Sequence, residues 1–482
     1  MKATRWFSSL PRRVLLAAAL GSTVLSGCTT FSKDGGFGKV QETTTQHLGK
    51  DARWIRSDSD ASAVRDAVRE RLAAPLAAAD AVQIALWNNP GLQAVYDDLG
   101  IAEADLVQAG RLPNPHLRYL RTRNRGAGSG KDEFALTFPI MDLVTMPLRR
   151  KVEAARFEQV KLEVSLQTLG VAYETQRAWV SAVTAEQTVK YLEQVKVAAE
   201  AAADLARRMA RAGNFNALDQ MREQVFYAEV IAQLARARQA SLSERERLTR
   251  LMGLYGENLR FRLPERLPDL PGAPPEMTEV EARAMEQRLD IQAARRDTEA
   301  VANALGLTKV TRSINVFDVG PARTREDGGA WNRGFEIALE IPIFDWGSAR
   351  VARAEAQYMQ AVKRVAEQAV NARSEVREAY ADYRSTFETA KHYRDEIVPL
   401  RARISEQNLL RYNGMLISVF ELLADAREQV ASVNAYIEAL GEFWLAEANM
   451  QSAMTGSPSA VPGGMAQRAR PAFVPMSVLA GH

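Results

Sequence analysis

The chain has 482 residues, with 62 Lys and Arg against 59 Asp and Glu, a formal charge of +3. That length suits about three ordinary domains of roughly 150 residues, and the near balance of charge excludes the strongly basic footprint of a nucleic-acid binder. The single cysteine excludes an intramolecular disulfide framework and a cysteine-based zinc cluster. His47, His116, His392 and His482 are too scattered to form a metal site, and no Ser/His/Asp set stands out, so neither an enzyme nor a cofactor is expected.

Residues 1–13 carry Lys2, Arg5, Arg12 and Arg13, and an apolar run follows from Val14 to Leu25. A charged start, a short apolar stretch and small residues at its end describe a signal peptide over residues 1–27. The ending Leu25-Ser26-Gly27-Cys28 resembles the bacterial lipobox, which implies acylation of Cys28. Several acyl chains anchor a protein stably where one would not. Thr29, rather than Asp, follows the cysteine, and by analogy with enteric lipoprotein sorting that implies the outer membrane. Residues 28–75 are polar and read as a tether with little structure of its own.

A first repeat spans 76–262. It opens with a helix over 76–111, interrupted at Asn89-Pro90-Gly91 because proline is poorly tolerated inside a helix. A Gly-rich, strand-like hairpin over 116–145 precedes a 64-residue helix from Leu148 to Arg211. Ala212-Gly213-Asn214 breaks that helix, and another runs from Ala217 to Leu254. Five prolines make 263–275 a linker. The order then recurs over 276–455: a helix to Leu307, a hairpin over 313–345, a helix from Ser348 to Arg411, a break at Asn413-Gly414 and a helix from Ser418 to Thr455. Residues 456–482 read as a flexible tail.

The two copies align directly. Phe134 to Asp142 matches Ile337 to Asp345 at a shift of 203, and Gly213 matches Gly414 at a shift of 201. Two copies of about 200 residues are a duplication, not a solenoid. Val164, Val171, Ala178, Ala185, Leu192, Ala199 and Ala206 recur every seven residues, as do Ala369, Val376, Tyr383, Ala390, Ile397 and Ile404. Such heptads predict long antiparallel coiled-coil helices, with a bend or a local opening at Pro399. The fold class is therefore mainly α with a small β part. Alternation in 335–343 puts Phe335, Ile337, Leu339, Ile341 and Ile343 on one face and Glu336, Ala338 and Glu340 on the other. Phe134, Leu136, Phe138 and Ile140 repeat the pattern. Strict alternation marks strands, and these segments suit either membrane-spanning barrel strands or soluble hairpins. Their partners are expected to be weaker: arginines interrupt 116–124, Asp318 and Gly320-Pro321 shorten 313–319, and Arg323, Arg325, Glu326 and Asp327 read as a charged hairpin loop.

Three further features carry a resemblance: Asn89-Pro90, Pro342-Ile343-Phe344-Asp345-Trp346-Gly347, and Tyr412-Asn413-Gly414 followed by Ser418-Val419-Phe420-Glu421-Leu422-Leu423. Together with the duplication and the lipobox, they make the chain similar to the TolC-like outer-membrane efflux proteins, in their lipid-anchored branch. The resemblance covers residues 75–455. It implies a homotrimer in which four strands per chain close a shared twelve-stranded β-barrel, continued by an α-barrel across the periplasm. It also implies outer-membrane lipid contact, docking to a periplasmic adaptor, and an inner-membrane pump of the resistance-nodulation-division type. The function implied is a passive exit duct; alternatives are a lipid-anchored coiled-coil scaffold without a pore, or the duct of a type I secretion system.

In that family acidic residues after the helical turns line the narrow end. Glu421, Asp425 and Asp219 take that place here; the alternative is solvated helix N-termini, where acids suit the dipole. Glu336 and Glu340 are expected to face the barrel lumen. The turns at Gly213, Asn214, Phe215 and at Gly414, Met415, Leu416 are expected to meet the adaptor. Trp331 and Trp346 suit either interfacial anchoring or packing.

Overall fold

A computed structural model describes residues 30–123, 130–214, 216–273, 279–314 and 316–457. The signal peptide, Cys28, Phe215 and most of the C-terminal tail lie outside the described residues. The chain divides into two units, each assembled from three stretches. Among the described residues no helix is long and apolar enough to cross a membrane.

The first unit comprises 30–58, 90–168 and 281–375. Residues 30–58 are not an unstructured tether. They include helix α1 (Phe37–Leu48) and fold back on α4 (Pro90–Ala109). Phe37 packs edge-on to Tyr96 with ring centroids 5.0 Å apart, and the Trp54 indole donates to Asp97 Oδ1 at 3.1 Å. The Ser32 amide donates to Glu103 Oε1 at 2.6 Å. Gly36 (φ 79°) lies so close to the Phe157 ring that a Cβ would sit 2.6 Å from it. These contacts are long-range, which is why local polarity gives no sign of them. Burial pushes the Tyr96 phenol well above its ordinary pKa.

The same unit holds the sheet. β1 (His116–Arg123), β2 (Gly130–Pro139), β3 (Phe317–Glu326) and β4 (Asn332–Leu339) form one antiparallel sheet in the order β1-β2-β3-β4. Its central pairing, β2 to β3, joins the hairpin of one repeat to that of the other. Two expected boundaries move. Gly320-Pro321 does not shorten β3, which runs ten residues straight through them. The register to β2 passes from Ala135↔Ala322 to Phe138↔Val319 and skips Gly320 and Pro321, where proline has no amide to offer. Arg323, Arg325 and Glu326 belong to β3 rather than to a loop. The turn falls at Asp327 (φ 48°) and Gly328 (φ 74°), the two positive φ angles of a type I′ turn. β4 correspondingly ends at Leu339, earlier than the alternation to residue 343 implies.

Helix α5 (Ile140–Arg211) begins eight residues before the expected start and carries Pro147 inside it. Thr145 Oγ1 donates to the Met141 carbonyl at 2.7 Å, and Asp142 pairs with Arg149 in its first turns. The helix expected over 276–307 is two helices, α7 (Val280–Gln287) and α8 (Leu289–Val310), hinged at Arg288. The Arg288 side chain is buried there between Asp290 at 2.7 Å and Glu375 at 2.8 Å.

The second unit comprises 59–89, 169–280 and 376–457. It includes α2 (Asp58–Leu72), again within the expected tether, and α3 (Ala78–Asn88). Helix α6 (Ala217–Met252) ends at Gly253 in the left-handed region. The Asn88 and Asn89 amides close that end, donating to the carbonyls of Met252, Gly253 and Leu251 at 2.8–2.9 Å. The Asn-Pro break thus serves two helices at once. Pro90 starts the next helix, while two asparagines satisfy the orphan carbonyls of another.

Helix α9 (Ser348–His392) gives way to a π turn (Tyr393–Ile397) before α10 (Val398–Asn413). Pro399 supplies the reason, since it cannot donate to the preceding turn. The extra residue rotates the helix face by about 100°. Val376, Tyr383 and Ala390 are accordingly buried, whereas Ile404 beyond the π turn is exposed. Tyr383 and Phe387 pack on Phe443 of α11 (Val419–Thr455) with centroids 5.5 and 5.7 Å apart. On the same helix, burial raises the Glu447 pKa. The folded state therefore holds that proton more tightly than the unfolded chain, and stability is lost as pH rises through the unfolded value towards the folded one. Glu447→Gln should raise the melting temperature at pH 7, with the gain fading below about pH 4, as followed by circular dichroism.

Candidate functional site

Two places carry the sequence-derived candidates, one in each unit. The first is the sheet. Residues opposite one another in an antiparallel ladder share a face, so the register sorts the side chains. One face carries Leu117, Phe134, Leu136, Phe335, Ile337 and Leu339, all exposed. The other carries Arg118, Ala135, Thr137, Ala322 and Glu336, with Ala135 and Thr137 buried. Arg118 on β1 reaches Glu336 on β4 at 2.7 Å. A flat sheet would put those strands about 14 Å apart. The bridge therefore requires the sheet to curl, polar face inward, over a row of small residues formed by Ala135, Ala322 and Gly320. Glu336 is thus on the concave face. Glu340 lies just past β4, its amide donating to the Val316 carbonyl at 3.2 Å.

The outer strands β1 and β4 have no partner on their far edges among the described residues. Exposed apolar surface continues beyond the strands: Phe344 is 98% exposed, and Ile341, Ile343 and Trp346 are also exposed. Trp331, at the other end of β4, packs on Phe134 at 5.6 Å, and Phe134 stacks on Tyr119 at 4.5 Å. Trp331 therefore packs on the sheet's outward face while staying exposed, as is Trp346.

The second place is the pair of helical turns. Both are built alike. The amide of Asn214 donates to the Met209 carbonyl and that of Gly213 to Ala210; Leu416 donates to Arg411 and Met415 to Tyr412, at 2.8–3.1 Å. Each is a Schellman turn, which places one residue in the left-handed region. In the first that residue is Gly213 (φ 78°), but in the second it is Met415 (φ 59°), while Gly414 has φ −80°. The two glycines matched by sequence are not equivalent; the structural shift is 202, pairing Gly213 with Met415. Asn216 and Ser418, the helix caps accepting from the amides of Asp219 and Glu421, share that shift. Met415 is 93% exposed and Leu416 is also exposed, whereas Phe215 lies outside the described residues. Met415→Gly should stabilise the second turn by about 1 kcal/mol, and Gly213→Ala should destabilise the first by a similar amount. Gly414→Ala should be near neutral in the same thermal melts.

The three acids differ in state. Asp219 is tied to Arg222 at 3.1 Å and to the Asn216 amide at 2.6 Å. Glu421 is exposed and pairs with no cation among the described residues. Asp425 is buried, and its Oδ2 has no hydrogen-bond partner. Sequence reasoning misses a fourth acid. Glu223, equivalent to Asp425 by the same shift, is fully buried and accepts from Arg427 at 2.8 Å. The Arg427 guanidinium also lies over Phe226 and Phe420, 5.6 and 5.7 Å from the ring centroids. Among the described residues no cluster of three His, Cys, Asp or Glu is placed to hold a metal.

A four-stranded curled sheet entered and left by duplicated long helices is the fold of the TolC-like outer-membrane channels, and the chain has that fold. No family model and no curated protein matches the sequence. Solved structures do. The outer-membrane channel OprN is 18% identical, with 87% of this chain and 96% of that one covered and a TM-score of 0.68. A membrane protein from Pseudomonas aeruginosa is 19% identical over 78% and 91%, with a TM-score of 0.66. The Campylobacter jejuni CmeC outer membrane channel is 15% identical over 80% and 87%, with a TM-score of 0.64.

Proposed function

We propose that this chain is the outer-membrane exit duct of a tripartite efflux system. It works as a passive homotrimeric channel, anchored by lipid at Cys28 and reaching into the periplasm. The observation that carries this reading is the curled sheet, apolar outside, polar inside and, among the described residues, unpaired at both edges. Open strand edges are not tolerated in lipid. Three copies joined β4 to β1 would remove every edge and make twelve strands around a lumen bearing Arg118 and Glu336. The turn around Met415 presents the exposed apolar Met415 and Leu416, which suit a periplasmic adaptor, and through it an inner-membrane pump. No step of covalent chemistry is needed.

Of the three acids, Glu421 is the one free to act at a constriction. Repeated three times, it forms a carboxylate ring that favours cations. Asp219 is already neutralised by Arg222, and Asp425 is turned into the chain. Purified protein in planar bilayers should give discrete channels with cation preference. Glu421→Ala should lower that preference and raise conductance, with Asp219→Ala weaker. A preparation that forms trimers but never conducts would favour the coiled-coil scaffold instead.

A further inference from the structure

The outward face of the sheet changes character towards its hairpin end. Beyond Tyr119, Phe134 and Pro321 it carries Arg121 and Arg123 on β1, Arg323 and Arg325 on β3, and Arg333 on β4. Among the described residues one acid faces them. Asp132 takes Arg325 at 2.9 Å, Arg121 at 3.5 Å and the Tyr119 hydroxyl at 3.1 Å. Glu326 and Asp327 do not neutralise the rest. Glu326 lies opposite Lys131 on the other face, and Asp327 Oδ1 accepts from the Gly130 amide. Arg123, Arg323 and Arg333 are exposed and pair with no carboxylate among the described residues.

Arg323 stands directly opposite Arg333 in the ladder. Like charges opposite one another destabilise a sheet, and the pair sits at the rim of an apolar, aromatic band. The Arg325 guanidinium lies 4.9 Å from the Trp331 ring centre, and its buried Nε has no partner. A row of forked cations directly above an apolar band is complementary to an amphiphile with phosphate at the top and acyl chains below. Guanidinium groups bind phosphate in a bidentate manner, and a phosphate between Arg323 and Arg333 would turn repulsion into attraction.

We propose that this arginine rim binds the phosphate groups of an anionic lipid in the leaflet surrounding the hairpin end. The inference rests on the duct reading, since it places the apolar band in a bilayer. The three unpaired arginines hold the phosphate, Arg121 and Arg325 are held in place by Asp132, and the band below receives the chains.

The test uses the full-length protein purified in mild detergent, with native mass spectrometry counting bound lipid. The probes are bisphosphorylated lipid A and the same lipid with its phosphates removed. The phosphorylated form should bind about tenfold or more tightly, and its binding should weaken as salt rises from about 50 to 500 mM. In an R123Q/R323Q/R333Q variant that preference should vanish, whereas R207Q/R403Q, on exposed helix surface, should retain it. Equal binding of the two lipids by the wild type would overturn the proposal, and so would a full preference in the triple variant. If the triple variant does not assemble, the wild-type comparison of the two lipids decides alone. Conductance is recorded on the same preparation. Absence of channels sinks the duct reading, whereas channels without a phosphate preference sink only the lipid site.

Discussion

If the chain is the proposed duct, Gly320→Val should abolish its conductance while leaving the helices intact. A Cβ built on Gly320 collides with the Leu136 carbonyl and crowds the Thr137 Cα, both backbone atoms of β2. No side-chain rotation relieves such a clash. The strands must part, and the pairing that parts is the one joining the two repeats. Losing that ladder forfeits several hydrogen bonds at about 1 kcal/mol each and opens new edges inside the sheet. The control is Gly334→Val on β4, whose Cβ direction meets nothing within 4 Å. Far-UV circular dichroism should show unchanged helicity for both variants, and bilayer recording should show channels only for Gly334→Val. Normal channels from Gly320→Val would mean that the central pairing does not hold the wall together.

The parts of this fold that are legible in the sequence are those whose signal is local. The long helices follow from the heptads, and the break between α5 and α6 from Ala212-Gly213-Asn214. The apolar faces of β2 and β4 follow from strict alternation. The missed features each have a physical cause. β3 beyond Pro321 alternates arginine with threonine and glutamate, so both faces are polar and hydrophobic alternation carries no signal; only Asp327-Gly328 marks the turn. The segment around α1 is polar in sequence but held by Phe37 and Trp54 against residues some 40–60 positions away. The heptad seam fails at Ile404 because the chain answers Pro399 with a π turn, a local opening of the helix that shifts the phase. At the tip, matching glycine to glycine misplaces the second turn by one residue, because Met415 occupies the left-handed position. Among the candidate acids, position is legible but state is not. Only Asp219 carries a local sign of its state, Arg222 three residues on; nothing local distinguishes exposed Glu421 from buried Asp425.

Glu223→Ala should cost about 3–5 kcal/mol, because it strands the Arg427 guanidinium in a half-buried site without its carboxylate. The pair ties α6 to α11 just behind the helical turns, with Phe226 and Phe420 flanking the guanidinium. Removing both charges with shape preserved, as in E223Q/R427M, should recover much of that loss, since a buried ion pair is often no better than an apolar replacement. A double-mutant cycle on thermal or urea unfolding separates the two cases. The functional readout is separate. If the proposed adaptor docks on the two turns and the pair fixes the distance between them, Glu223→Ala should weaken adaptor binding even at temperatures where the protein is fully folded, and E223Q/R427M should restore it. Full recovery of stability in the double variant without recovery of adaptor binding would show that the spacing of the turns is not what the pair supplies, and additive losses in both measurements would show that the two residues do not act as a pair.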